Sequence, residues 1–128
     1  MHLERRVVVT GLGALSPLGN SAKISWDACL NGLSGIQKID FGIPDCPVSI
    51  GGKLKNFDVN EYLPGKESRR IDPFVQYGVI AANHAIEDSG LSHDDYISER
   101  VGVSFGSGIG GLYSIEKNHH ILNNSGIR

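Results

Sequence analysis

The side chains with the most reactive chemistry are two cysteines. Cys29 lies in a predicted helix with no helix start, His or Lys close in sequence to favour its thiolate. We therefore interpret Cys29 as a small buried hydrophobic residue rather than a nucleophile. Cys46 lies in a predicted loop beside a proline, with no neighbouring base. Two cysteines in such contexts do not indicate a disulfide framework, and we expect reduced thiols.

A histidine pair, His119 and His120, together with Glu116, has the residue types of a metal site. Adjacent side chains on a helix point about 100° apart, however, so the pair does not converge on one ion. No further ligand pair occurs nearby in sequence. We predict no metal ion.

A glycine-rich segment, Gly106-x-Gly108-x-x-Gly111, follows a predicted strand and precedes a predicted helix. This spacing matches the dinucleotide fingerprint, in which amides at a helix N-terminus hold a pyrophosphate. The fingerprint also needs an acidic residue about 20 positions later, at the end of a second strand, where this chain has a helix end. We favour glycines that permit a tight turn and close packing, and expect no cofactor. A nucleotide-binding oxidoreductase domain is the alternative for this motif.

A cluster of cations, Lys66, Arg69 and Arg70, lies at the start of a long predicted helix. Cations are disfavoured near a helix N-terminus, so this placement suggests a partner that uses them. The alternative is a solvated turn in which Glu67 and Asp72 partly compensate the charge.

The predicted elements follow one another in the order β-α-β-α-β-α, which is typical of an α/β fold. Two β-branched runs predict buried strands, and stretches with helical periodicity and end signals predict three helices. The strands are Arg5 to Thr10 and Val101 to Phe105, and the helices run from Ser21 to Leu30, Ile71 to Ser89 and Leu112 to Leu122. Between them, residues 36–56 predict small strands or hairpin arms. The many small residues of the second helix suggest close packing on a sheet.

Composition is ordinary for a globular protein, with 40% hydrophobic residues and 20% charged residues in 128. A chain of this length can form one domain that buries roughly two thirds of its unfolded surface. The net charge of −2 does not favour nucleic acid or a membrane surface as a partner. No apolar stretch approaches the ~20 residues that span a bilayer, and no signal peptide is evident, so we expect a cytoplasmic protein.

The motifs along the chain resemble those of the β-ketoacyl-acyl carrier protein synthases, most closely the synthase II type. The resemblance begins with Arg5-Arg6-Val7-Val8-Val9-Thr10-Gly11-Leu12-Gly13-Ala14-Leu15-Ser16-Pro17-Leu18-Gly19-Asn20. It continues through Arg69-Arg70-x-Asp72-x-Phe74-x-Gln76-Tyr77, Ala85-x-x-Asp88-Ser89-Gly90-Leu91 and Gly106-Ser107-Gly108-Ile109-Gly110-Gly111.

The resemblance implies a thiolase-like layered α/β fold, of which residues 1–128 would be most of the first half. It implies a parent enzyme that condenses acyl-ACP with malonyl-ACP in fatty acid elongation, acting as a homodimer on acyl carrier protein that carries acyl or malonyl groups. The family's Cys nucleophile and two His residues would lie beyond residue 128, so we expect no catalytic residue and no activity in this chain. The alternative is a non-catalytic relative that binds carrier protein, similar to a chain-length factor.

The same resemblance implies two functional surfaces. The residue matching Ile109 projects toward the acyl-chain pocket and would act as its gate. Basic residues matching Lys66, Arg69, Arg70 and Arg128 would lie on the surface that receives the acidic carrier protein.

Overall fold

A computed structural model describes residues 5–92 and 98–126 of the chain. In order, its regular elements are helix α1 (Ala22–Leu30), strands β1 (Ile36–Lys38) and β2 (Ile50–Gly52), and helices α2 (Gly65–Ser68), α3 (Pro73–Ser89) and α4 (Leu112–Ser125). Short 3₁₀ turns lie at Val59–Glu61 and Ser98–Arg100. None of the described helices is both long and apolar enough to cross a membrane.

Local end signals place the helices where the sequence predicts them. The Ser21 side chain accepts a hydrogen bond from the Ile24 amide and caps α1. Helix α3 begins at Pro73, two positions later than predicted, and ends at Ser89; the next residue, Gly90, has a φ of 67°, the left-handed conformation of a C-cap glycine. The predicted helix at Leu112 is confirmed and extends to Ser125.

The predicted hairpin arms in residues 36–56 are also confirmed. Strands β1 and β2 pair antiparallel with Ile36 opposite Gly52 and Lys38 opposite Ile50. This two-stranded sheet is the only one formed by the described residues.

The two predicted buried strands are not formed, and this prediction is wrong for the chain as described. Within residues 5–92 and 98–126, the segments 5–10 and 101–105 have no strand partner, and their apolar side chains face solvent, with Val7 94% and Val103 82% exposed. The physical reason is that a strand exists only through ladder hydrogen bonds to a neighbour, which composition does not supply.

The segment Gly11 to Gly13 packs instead against the backbone of α3. A Cβ on residue 11 would lie 2.1 Å from the Ala85 carbonyl oxygen, and one on residue 13 would lie 1.8 Å from that of Ala81. The Leu12 amide donates to Oδ2 of Asp88 at 2.8 Å and fixes this contact. Small residues of α3 therefore permit close packing, as predicted, although on a glycine segment rather than a sheet.

The buried core is small. Among the residues that the structure describes, its apolar members are Ala28, Leu63 and Ile80, with Ile80 only 1% exposed. The surface area is 11084 Å², whereas a compact monomer of this mass exposes about 6,600 Å². The expectation that the chain buries roughly two thirds of its unfolded surface is therefore wrong, because most of the described large apolar side chains remain exposed.

An aromatic cluster packs the segment before α2 onto α3. Phe57 stacks on Tyr62 with ring centroids 5.5 Å apart and meets Tyr77 edge-on at 5.6 Å. Tyr62 contacts the His84 ring, also edge-on, at 5.5 Å. Two of these rings belong to α3 and two to the segment before α2, so the cluster holds that segment against α3.

Candidate functional site

The predicted docking cations lie on and just after α2, not at the start of the long helix. Lys66 is in the last turn of α2, Arg69 is its C-cap, and α3 begins only at Pro73. Cations are favourable at a helix C-terminus, so the argument from an unfavourable placement is wrong. The sequence pattern concealed the break because the four-residue α2 has no periodicity of its own.

All three cations of this cluster are exposed to solvent. The Arg69 Nε donates to the Gly65 carbonyl at 2.7 Å, across the whole of α2. The Arg70 amide donates to the Glu67 carbonyl at 2.9 Å and continues the turn. Lys66, Arg69 and Arg70 are thus brought together on one short exposed segment, while Arg128 lies outside the described residues.

The C-terminal end of α2 is held by Gln76, a residue whose role the sequence alone did not predict. Its Nε2 donates to the carbonyl of Ser68 at 2.7 Å and to that of Ile71 at 3.1 Å. Gln76 is half-buried on the first turns of α3, and Ser68 is buried. The only sequence feature that could have indicated a role for Gln76 is its place in the motif Arg69-Arg70-x-Asp72-x-Phe74-x-Gln76-Tyr77.

The residues between the cations and Gln76 brace the glycine-rich turn. The Ser114 hydroxyl donates to Oδ1 of Asp72, which joins the start of α3 to the first turn of α4. The Phe74 ring lies against Gly110, where a Cβ would approach its Cε2 to 2.5 Å. Gly111 has a φ of 69°, a conformation that side-chain-bearing residues rarely adopt. The prediction of glycines that allow a tight turn and close packing is confirmed at Gly110 and Gly111.

Ile109 lies in this turn and is 74% exposed. The preceding residues border an apolar cleft of about 430 Å³ between α3 and residues 103–107. Its lining includes Phe74, Gly78, Ala82, Val103, Phe105 and Ser107. Ile109 does not line this cleft, but it lies two residues after Ser107, which does, and one residue before Gly110, which the Phe74 ring contacts.

The cysteine and histidine predictions have separate outcomes. Cys29 is exposed, so its buried assignment is wrong: of the α1 side chains only Ala28 is buried. Cys46 is half-buried.

The two histidines of α4 each contact an asparagine one turn later. Asn123 Nδ2 lies 3.2 Å from Nε2 of His119, and Asn124 Nδ2 lies 2.8 Å from Nε2 of His120. Among the residues with described positions, no three potential ligands cluster around a common point.

Comparison with known proteins decides the family. The family model described as "Beta-ketoacyl synthase, N-terminal domain" matches residues 4–127. The chain belongs to the β-ketoacyl synthase family. Among its relatives, 3-oxoacyl-[acyl-carrier-protein] synthase 2 of Staphylococcus aureus (strain N315) is 43% identical over 129 residues, and its counterpart in Vibrio harveyi is 47% identical over 126. This β-ketoacyl synthase chain is covered to 100% and 98% in these matches, but it spans only 31% and 30% of the relatives.

A solved structure supports the fold assignment of this β-ketoacyl synthase chain. It is described as a type II PKS acyl-carrier protein in complex with its ketosynthase. The match has a TM-score of 0.73 at 29% identity and covers 97% of this chain and 32% of that one. The thiolase-like α/β fold implied by the motifs is thereby confirmed, even though the strands predicted at residues 5–10 and 101–105 are unpaired here.

Proposed function

We propose that residues 1–128 are the N-terminal part of a 3-oxoacyl-ACP synthase that elongates fatty acyl chains. The observation that carries the proposal is the 43% identity, over the whole chain, to a relative named 3-oxoacyl-[acyl-carrier-protein] synthase 2. We further propose a cytoplasmic homodimer as the parent enzyme.

The proposed reaction transfers an acyl group and joins two carbons to it. A cysteine thiolate of the parent attacks the acyl-ACP thioester, forming acyl-enzyme and releasing the carrier-protein thiol. Malonyl-ACP then loses CO₂, and the resulting carbanion attacks the acyl-cysteine. The products are 3-oxoacyl-ACP and the regenerated thiolate, with two histidines stabilising the oxyanion. We assign nucleophile and histidines to the remainder of the parent, because neither Cys29 nor Cys46 lies in the family's Thr-Ala-Cys type of segment.

The exposed cations Lys66, Arg69 and Arg70 are proposed to receive the carrier protein, together with Arg128. The exposure of Lys66, Arg69 and Arg70 on one short segment supports this assignment, since an acidic partner needs accessible charge. The solved relative is a ketosynthase in complex with an acyl carrier protein, which agrees with this kind of partner.

Ile109 is proposed as the gate of the acyl pocket. The support is its place at the end of a braced glycine turn, beside an apolar cleft. Phe74 and Asp72 restrain the two residues that follow it, so the backbone that aims Ile109 is held while the side chain itself remains free.

The test is an elongation assay of the full-length parent with purified acyl-ACP and malonyl-ACP. We expect CO₂ release and formation of 3-oxoacyl-ACP, measured by mass spectrometry. The 128-residue chain alone should form no product. Binding of carrier protein by the full-length parent without product would instead indicate a non-catalytic relative, and elongation by the 128-residue chain would refute the assignment of the nucleophile to the remainder of the parent.

A further inference from the structure

Helix α2 is too short to be stable by itself. It has four residues, and its N-cap, Pro64, offers no side-chain hydrogen bond. The first turn of any helix fixes several residues for one hydrogen bond, so an isolated turn is unstable in water. The last carbonyls of a helix also lack partners within it and must find them elsewhere.

Gln76 supplies the missing partner from another helix. Its amide donates to the carbonyls of Ser68 and Ile71, at 2.7 and 3.1 Å. In sequence these two carbonyls bracket Arg69 and Arg70. The backbone that carries both arginines is therefore attached at either end to one side chain of α3.

We propose that Gln76 is a positioning residue that holds Arg69 and Arg70 in the orientation that receives the carrier protein. Gln76 itself is half-buried and would not need to touch the partner. Without it, the arginines keep their charge but sample more orientations, and ordering them becomes part of the cost of binding. The inference rests on the docking surface proposed above.

The experiment uses the full-length enzyme with Gln76→Leu, which keeps the side-chain size and removes both donors. We expect the KM for acyl-ACP to rise roughly three- to tenfold, which is about the range that follows from ordering one long side chain, with little change in kcat. Activity on a carrier-free acyl-pantetheine thioester should be unchanged. Asn83 carries an exposed amide on the same helix, and Asn83→Leu is the matched control. It should change neither the KM for acyl-ACP nor the KM for acyl-pantetheine.

The same substitution in an Arg69→Ala/Arg70→Ala background separates positioning from general damage. If Gln76 acts through the arginines, its effect on KM disappears there. An effect that persists at full size, or an equal loss on acyl-pantetheine, overturns the inference. If Gln76→Leu lowers the melting temperature, Gln76→Met is measured in its place against the same criteria.

The two proposals fail in different ways. If removal of both arginines leaves the KM for acyl-ACP unchanged, the docking surface itself is wrong. If their removal raises the KM and Gln76→Leu does not, the docking surface stands and only the positioning role is refuted.

Discussion

Gly13 touches the backbone of α3 so closely that a Cβ at this position would lie 1.8 Å from the Ala81 carbonyl oxygen. No rotamer relieves this contact, because both partners are main chain or Cβ. The N-terminal glycine segment and α3 are therefore packed at the minimum backbone separation.

Gly13→Ala is predicted to destabilise the full-length enzyme by about 3 kcal/mol, since the backbone must move to accept the methyl group. The measurement is the midpoint of urea unfolding. Gly65→Ala is the matched control: its Cβ would lie 3.5 Å from Asn60 Oδ1, an ordinary contact, and alanine favours the helix it would join. A Gly13→Ala enzyme as stable as the control would contradict the close packing.

The isolated 128-residue chain is predicted to unfold without a sharp transition and to bind the dye ANS. Its surface of 11084 Å² exceeds the ~6,600 Å² of a compact monomer, and its buried apolar residues among those described are only three. Circular dichroism during heating and ANS fluorescence check this, with the full-length enzyme as reference. A cooperative transition with no dye binding would show that the apolar side chains are covered in solution.

Charge reversal of Arg69 and Arg70 to Glu is predicted to raise the KM for acyl-ACP at least tenfold at low salt, because two exposed carboxylates would then repel an acidic partner. Lys66→Glu should have a smaller effect, since Arg presents a rigid fork to carboxylates and phosphates. The KM difference between wild type and the double variant should shrink as salt rises and screens exposed charges. An unchanged KM at low salt would remove these residues from the docking surface.

Ile109→Phe is predicted to shorten the longest acyl chain that the full-length enzyme accepts. The added ring volume occupies space that a growing chain needs, while short primers still react. Gly108→Ala serves as a control on the same turn, because its Cβ meets nothing within 4 Å among the described residues.

Elongation of short and long acyl-ACP primers is compared in Ile109 variants whose melting temperature is normal. Overpacking would cost about 1–3 kcal/mol and lower the melting temperature, so these variants exclude it. A loss that is equal on both chain lengths would then contradict the role of Ile109 as a gate.

Local signals in the sequence determined the helices that begin and end on capping residues. Ser21 and Gly90 define ends of α1 and α3 through hydrogen bonds and dihedral preferences within a few residues, which a sequence displays directly. The glycine turn at residues 110–111 was predictable for the same reason. The motifs also determined the family, because residues that pack or bind in a shared fold recur at fixed spacing.

Only the tertiary structure decided the features that depend on distant partners. Val7 and Val103 belong to β-branched runs that are typical of buried strands. A strand is buried only when it pairs with a neighbouring strand, and neither run has one among the described residues. Cys29 is exposed because the apolar side of α1 buries only Ala28. Arg69 and Arg70 lie at the end of a separate short helix, between two carbonyls that accept hydrogen bonds from Gln76 on another helix. A contact of that kind follows no periodicity and no capping motif, so the sequence does not predict it.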